Sequence, residues 1–96
     1  MRYSNEKTLG EAIREMLENY HLEDKLVEAD LIAVWGELVG PMIHRHTKEL
    51  RIHKGKLYVK IDSPAVKNEL LYLRSQIVET LNKHAGKKVI EEIVLM

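Results

Sequence analysis

Five residues of this chain could do chemistry together: Arg51, His53, Lys56, Tyr58 and Lys60. They fall within residues 48–61, KELRIHKGKLYVKI, and alternate with Leu50, Ile52, Leu57, Val59 and Ile61. Period-two alternation is the pattern of a strand with one buried face, and it runs on both sides of Lys54-Gly55. Gly55 tolerates a positive φ, so the stretch reads as a β-hairpin. One face is then aliphatic. The other presents ammonium and guanidinium groups at intervals of about 7 Å along each strand, a spacing suited to the phosphates of a nucleic-acid backbone. Tyr58, among them, could stack on a base. Arg45 and Lys48 lie just before the hairpin and extend the basic run, so the candidate phosphate contacts are Arg45, Lys48, Arg51, Lys56 and Lys60.

The charge balance agrees. The net formal charge is zero, yet residues 1–40 hold four Lys/Arg against nine Asp/Glu, whereas residues 41–96 hold eleven against six. An anionic partner for the second half is expected.

Other chemistry finds less support. His44-x-His46 with His53 has the look of a metal cluster, but no carboxylate or Cys at metal spacing completes it, so these imidazoles are read as solvated and no metal is expected. There is no phosphate loop, Gly-rich dinucleotide turn, nucleophile elbow or Cys, so neither catalysis nor a cofactor is expected. The lack of Cys fits a reducing interior, and no apolar run nears the length of about 20 residues that spans a membrane. The N-terminus has no apolar signal segment. A soluble cytoplasmic protein of one domain, residues 1–96 with residues 1–7 frayed, is the expectation.

The elements that must position the hairpin can be read in order. Thr8 and Glu11 have capping-box spacing, and a helix should follow to about residue 20 with Leu9, Ile13, Met16, Leu17 and Tyr20 as its apolar stripe and Glu11, Glu15 and Glu18 on the wet side. A second helix is expected over residues 23–39, with Leu26, Val27, Leu31, Val34, Trp35, Leu38 and Val39 buried. Trp35, the one indole, is expected to anchor the core where helix meets sheet. Gly40-Pro41 stops that helix, and Pro41 could open one further turn. After the hairpin, Ser63-Pro64 starts a helix to about residue 84, with Val66, Leu70, Leu73, Ile77 and Leu81 as its stripe, widened by Leu71 and Val78. Tyr72 could be a rim aromatic or a cover for the core edge. Residues 89–96, VIEEIVLM, make a last strand. The order is α-α-β-β-α-β. A crossover helix sets the third strand parallel to the second. The result is an α+β two-layer sandwich with helices on one face of a three-stranded mixed sheet.

At Trp35-Gly36-Glu37-Leu38-Val39-Gly40 the sequence resembles the DciA family of bacterial proteins, long known as a domain of unknown function. The resemblance continues through His46-Thr47, Gly55-Lys56-Leu57-Tyr58-Val59, Ser63 with Glu69-Leu70, and residues 90–94, covering residues 8–96 in all. It implies a KH-like fold, DNA binding and a role with the replicative DnaB-type helicase, which members help to load onto DNA. The Gly-x-x-Gly tetrad with which KH domains clamp a backbone is not in this chain. Members that carry a disordered extension use it for helicase contact. A chain ending at Met96 is expected to make that contact with its folded domain. The function expected is a non-enzymatic nucleic-acid-binding adaptor, its partners single- or double-stranded DNA and the replicative helicase. The alternatives are a protein-interaction module without nucleic-acid binding, and an RNA-binding module associated with ribosomes.

Overall fold

A computed structural model describes residues 8–96, without the side chains of residues 17–21. The expected fraying of residues 1–7 and the stripe positions Leu17 and Tyr20 lie outside the described residues. The elements are α1 (Leu9–Val39), α2 (Pro41–Arg45), β1 (Thr47–His53), β2 (Lys56–Ile61), α3 (Pro64–Ala85) and β3 (Glu92–Leu95). This is the α+β order α-α-β-β-α-β with a mixed sheet, β1-β2 antiparallel and β2-β3 parallel, β2 in the centre.

The two leading helices are divided differently from expectation. Residues 9–39 form one helix of 31 residues, with no break near residue 21. Glu23 and Asp24 suit a helix start, but neither His21 nor Leu22 directly before them is a Gly, a Pro or a capping residue, and the apolar spacing continues in phase from Leu9 to Leu38. The Thr8 hydroxyl caps the start by accepting from the Glu11 N–H at 3.1 Å. Gly40, at φ 93°, ends α1 with its N–H on the Gly36 carbonyl, and Pro41 opens α2 as the second helix of the series. Ser63 caps α3, and Gly86 closes it in the left-handed conformation.

A second correction concerns burial. The stripe of α1 is buried only in its C-terminal half, where Leu31 and Trp35 are each 2% exposed. Leu9, Ile13 and Met16 are exposed, and so is Leu26, which falls on the opposite side from Leu31. The sheet's inner face is three strands wide and accommodates only half of a 31-residue helix together with α3. Tyr72 is 86% exposed and covers no core edge, and Leu71 is also exposed. The core comprises Leu31 and Trp35 of α1, Ile43 of α2, the inner residues of β2, and Val66, Leu70, Ile77 and Leu81 of α3, closed by Ile90 and Ile93.

The last strand is shorter than the apolar run that suggested it. Residues 89 and 90 are held by a side chain instead of a ladder. Asn82 of α3 accepts from the Val89 and Ile90 N–H groups, both at 2.8 Å, and donates to the Ile90 carbonyl at 2.9 Å. One amide thus satisfies three backbone groups that would otherwise be left partly buried. Ile93 opposite Leu57 and Leu95 opposite Val59 face the core, so Glu92 and Val94 face outward.

The hairpin turn is tight. Lys54 at φ 49° and Gly55 at φ 78° both occupy left-handed backbone, as a two-residue hairpin loop requires. Gly55 adopts this freely, but Lys54 pays a Cβ–carbonyl clash. Replacing Lys54 with Asn, which tolerates the conformation, is expected to raise the urea midpoint by about 0.5–1 kcal/mol of stability at unchanged slope.

Candidate nucleic-acid interface

The alternation of the hairpin becomes two faces through its register. Arg51 lies opposite Tyr58, Glu49 opposite Lys60, and His53 opposite Lys56, all on the outer face. Leu50 opposite Val59 and Ile52 opposite Leu57 point at the helices. Arg51, Lys56 and Lys60 are exposed, and Tyr58 is half-buried among them. Four of the six residues singled out from the sequence therefore share one open surface.

Lys48 and Arg45 stand apart from it. The register shifts between Thr47 and Glu49, so Lys48 is the extra residue of a β-bulge. The shift lets Thr47 face inward while Glu49 faces out. Thr47 accepts from the Trp35 indole N–H at 3.1 Å and donates to the Ile43 carbonyl at 2.6 Å, which ties α1, α2 and β1 together. Arg45 is the exposed last residue of α2 and lies on no strand.

The outer face is less cationic than the sequence suggests. Lys60 Nζ lies 3.8 Å from Glu49 Oε1, and Lys56 Nζ lies 3.9 Å from Glu92 Oε2. The three bases Arg51, Lys56 and Lys60 face the two acids Glu49 and Glu92. Both lysine pairs are solvent-exposed and near the limit of ion-pair distance. Such pairs are worth about 0–1 kcal/mol, so a phosphate can displace either carboxylate at small cost. Glu92 reaches the site through the register of the parallel β2–β3 pairing, Lys56 opposite Glu92, which the order of elements does not set.

Arg51 holds the middle of the face. Its Cζ lies 5.4 Å from the centroid of the Tyr58 ring, a cation–π arrangement, and Nη2 lies 4.0 Å from Met96 Sδ. One side of the ring is thus covered. A base would stack on the guanidinium plane over Tyr58, or on the ring once Arg51 turns toward a phosphate.

The histidines do not gather. His44 packs its ring on Gly36, where an added Cβ would sit 2.7 Å from Nδ1. His46 Nδ1 lies 2.7 Å from Asp62 Oδ1, and His53 is exposed on the outer face. Among the described residues no three His, Cys, Asp or Glu side chains group as a metal site.

Asp62, not singled out from the sequence, closes the far end of the hairpin. It accepts from Lys48 at 3.3 Å as well as facing His46. The hydrogen bond from His46 is the main cause that holds its carboxyl below the ordinary value of 3.8; desolvation, next in size, opposes it, and the Lys48 ammonium adds to the lowering. A depressed folded pKa contributes stability that is present above the unfolded value and lost as pH falls through the folded one. A carbon-detected NMR titration should place the Asp62 midpoint below 3.8, and the hairpin base should stay tied at neutral pH.

Residues 8–95 match the family model described as "Dna[CI] antecedent, DciA". The chain is also 34% identical over 59 residues to a "UPF0232 protein" of Corynebacterium glutamicum (strain R). That similarity takes in 62% of this chain and 33% of the relative, so the chain spans about a third of the length of the curated protein it matches.

Proposed function

The chain belongs to the DciA family, and on that premise we propose that it is a non-enzymatic nucleic-acid-binding adaptor of DNA replication. The family is associated with loading of the replicative DnaB-type helicase. In this reading the domain, KH-like and cytoplasmic, holds DNA on the outer sheet face and assists recruitment of the helicase. The single observation that supports DNA binding is the exposed face on which Arg51 lies over Tyr58 between Lys56 and Lys60. Lys48 and Arg45 would extend the phosphate track past the hairpin base. No helix among the described residues is long and apolar enough to cross a membrane.

Fluorescence anisotropy with labelled single-stranded DNA, duplex DNA and RNA of equal length tests this. For three to four phosphate contacts on a single strand, log K should fall with log salt at a slope of roughly −2 to −3. Flat traces at low salt would remove the reading, and a clear preference for RNA would favour a ribosome-associated role. Asp62→Asn, which frees Lys48 and His46 of their carboxylate, should tighten DNA binding about two- to five-fold at low salt and steepen the slope by less than one.

A second reading, a protein-interaction module without nucleic acid, draws support from the acids on the same face. With Glu49 beside Lys60 and Glu92 beside Lys56, the face also suits a partner surface of alternating charge. Capture of the helicase that persists after nuclease treatment, without DNA binding, would favour it.

A further inference from the structure

β1 is an outer strand of the sheet, with β2 as its one neighbour. His53 pairs with Lys56 across the two-residue turn, so His53, Arg51 and Glu49 exchange their backbone hydrogen bonds with β2. By alternation, Leu50 and Ile52 turn their N–H and C=O groups the other way, toward an edge on which no strand lies. An open edge of this kind is a template for another strand. The bulge at Lys48 bounds the regular stretch at one end and the turn at Lys54 bounds it at the other, leaving residues 49–53.

The charges along this stretch select the strand that fits. In antiparallel pairing with the same strand of a second copy, the hydrogen-bonded pairs must fall on Leu50 and Ile52, whose backbone groups point outward. With Leu50 opposite the other Leu50, Glu49 lies opposite Arg51 twice, once on each side of the axis. Those are non-hydrogen-bonded pairs, in which side chains stand closest. The neighbouring registers lose this match. Leu50 opposite Ile52 sets Arg51 against Arg51, Ile52 opposite Ile52 sets Arg51 against His53, and a shift the other way sets Glu49 against Glu49. We propose that β1 pairs antiparallel with β1 of a second copy about a two-fold axis at the Leu50 pair, closed by two Glu49–Arg51 ion pairs.

The inner side of the edge suits the same register. An open cleft of about 170 Å³ lies there, lined by Ile32, Trp35, Thr47 and Leu50 among others. Ile32 is 39% exposed beside it. The second copy's Leu50, on the same side of the joined sheet, enters the cleft and covers Ile32. Glu49 is available for the new pair, because its contact with Lys60, at 3.8 Å between exposed groups, is weak. The axis stands perpendicular to the sheet, so the outer faces of both copies form one continuous surface and the helices of both lie behind it. A contact of five residues per strand is small, and the dimer is therefore reversible, forming in the range of tens to hundreds of micromolar.

Sedimentation velocity of the full 96-residue chain over about 5–500 µM, at low salt and without nucleic acid, tests the pairing apart from any DNA binding. The expected result is a monomer that converts to a dimer as concentration rises. Glu49→Arg sets Arg against Arg in both cross-strand pairs, and Arg51→Glu sets Glu against Glu, so each variant alone should dimerise at least ten-fold more weakly. Mixed in equal amounts, the two variants place Arg opposite Glu in both pairs, and the mixture should associate as wild type does. Both side chains are exposed, so each variant should keep the wild-type circular dichroism. Exchange of the Leu50 amide hydrogen should slow as concentration rises, while the Arg51 amide, already bonded to β2, changes little. A wild-type chain that stays monomeric throughout, single variants that dimerise as wild type does, or a mixture no more associated than its components would each overturn the proposal. So would a chain that is monomeric alone but whose Leu50 amide is protected by added helicase, which would give the edge to a foreign strand.

Discussion

Reversing Arg51, Lys56 and Lys60 to Glu together is expected to lower affinity for a short single-stranded oligonucleotide by about 100-fold or more at low salt and to flatten the salt dependence. The argument is one of counts. Removing three phosphate contacts on a single strand takes about two from the log–log slope, which alone is worth roughly 16-fold between 50 and 200 mM salt. Replacing each cation by an anion adds repulsion from the same phosphates. It also gathers the new carboxylates with Glu49 and Glu92 on one side of the sheet. The fold should tolerate the change. All three side chains are exposed, and the lysine pairs lost are surface pairs of small worth. Circular dichroism unchanged beside lost anisotropy would separate recognition from folding. Affinity within a few-fold of wild type would place any DNA contact elsewhere, with Arg45 and the C-terminal end of α3 as the next basic surfaces.

Trp35→Ala is expected to cost about 3–5 kcal/mol, the largest loss from any one side chain, measured as a fall in the urea midpoint. Two effects add. The indole is 2% exposed among the residues that join α1 to the sheet, so truncation leaves a cavity of aromatic size. Its N–H also donates to Thr47, whose hydroxyl in turn donates to the Ile43 carbonyl, so removal unbalances a chain of hydrogen bonds through the β-bulge. Trp35→Phe keeps most of the volume and loses only the donor, for about 1–2 kcal/mol. Against a total stability of about 5–15 kcal/mol for a domain of this size, the loss takes about a fifth or more of the total, and at the low end of that range it leaves the Ala variant partly unfolded at ambient temperature. An Ala variant as stable as the Phe variant would show that the cavity collapses and that Trp35 acts only through its N–H.

Alternation and punctuation made much of this fold legible. The hairpin followed from the period of two around Lys54-Gly55, and α3 from Ser63-Pro64 at one end and Gly86 at the other. The order of elements and the mixed sheet followed from these. The boundary between the two leading helices falls at Gly40-Pro41 and not near residue 21, because Glu23-Asp24 is a favourable helix start but not an obligatory one. Continuous in-phase apolar spacing lets a helix pass through such a site. How much of that spacing is buried depends on where the sheet ends, which is a tertiary fact, so the bare stripe at Leu9, Ile13 and Met16 could not be read locally.

The candidate site was half legible for the same reason. Residues on one hairpin share a face by parity, so Arg51, Lys56, Tyr58 and Lys60 come together as the pattern implies. Residues distant in sequence do not announce their charge to the site. Glu92 arrives by the parallel pairing of β3, and Asp62 by closing the hairpin base on Lys48 and His46. Asn82 carries no apolar or charge signature, yet its amide holds residues 89 and 90 in place ahead of β3. The bulge at Lys48 takes that residue out of the alternation and gives Trp35 its partner.

Amide chemical-shift mapping during titration with a short single-stranded DNA is the most direct test of the outer sheet face as the DNA surface. Binding there should move the amides of β1, β2 and β3, led by Arg51 and Tyr58, and the Arg51 side-chain Nε–Hε signal, while the exposed N-terminal half of α1 stays still. Shifts confined to the helices, or no shifts at oligonucleotide concentrations above those that saturate anisotropy, would contradict it.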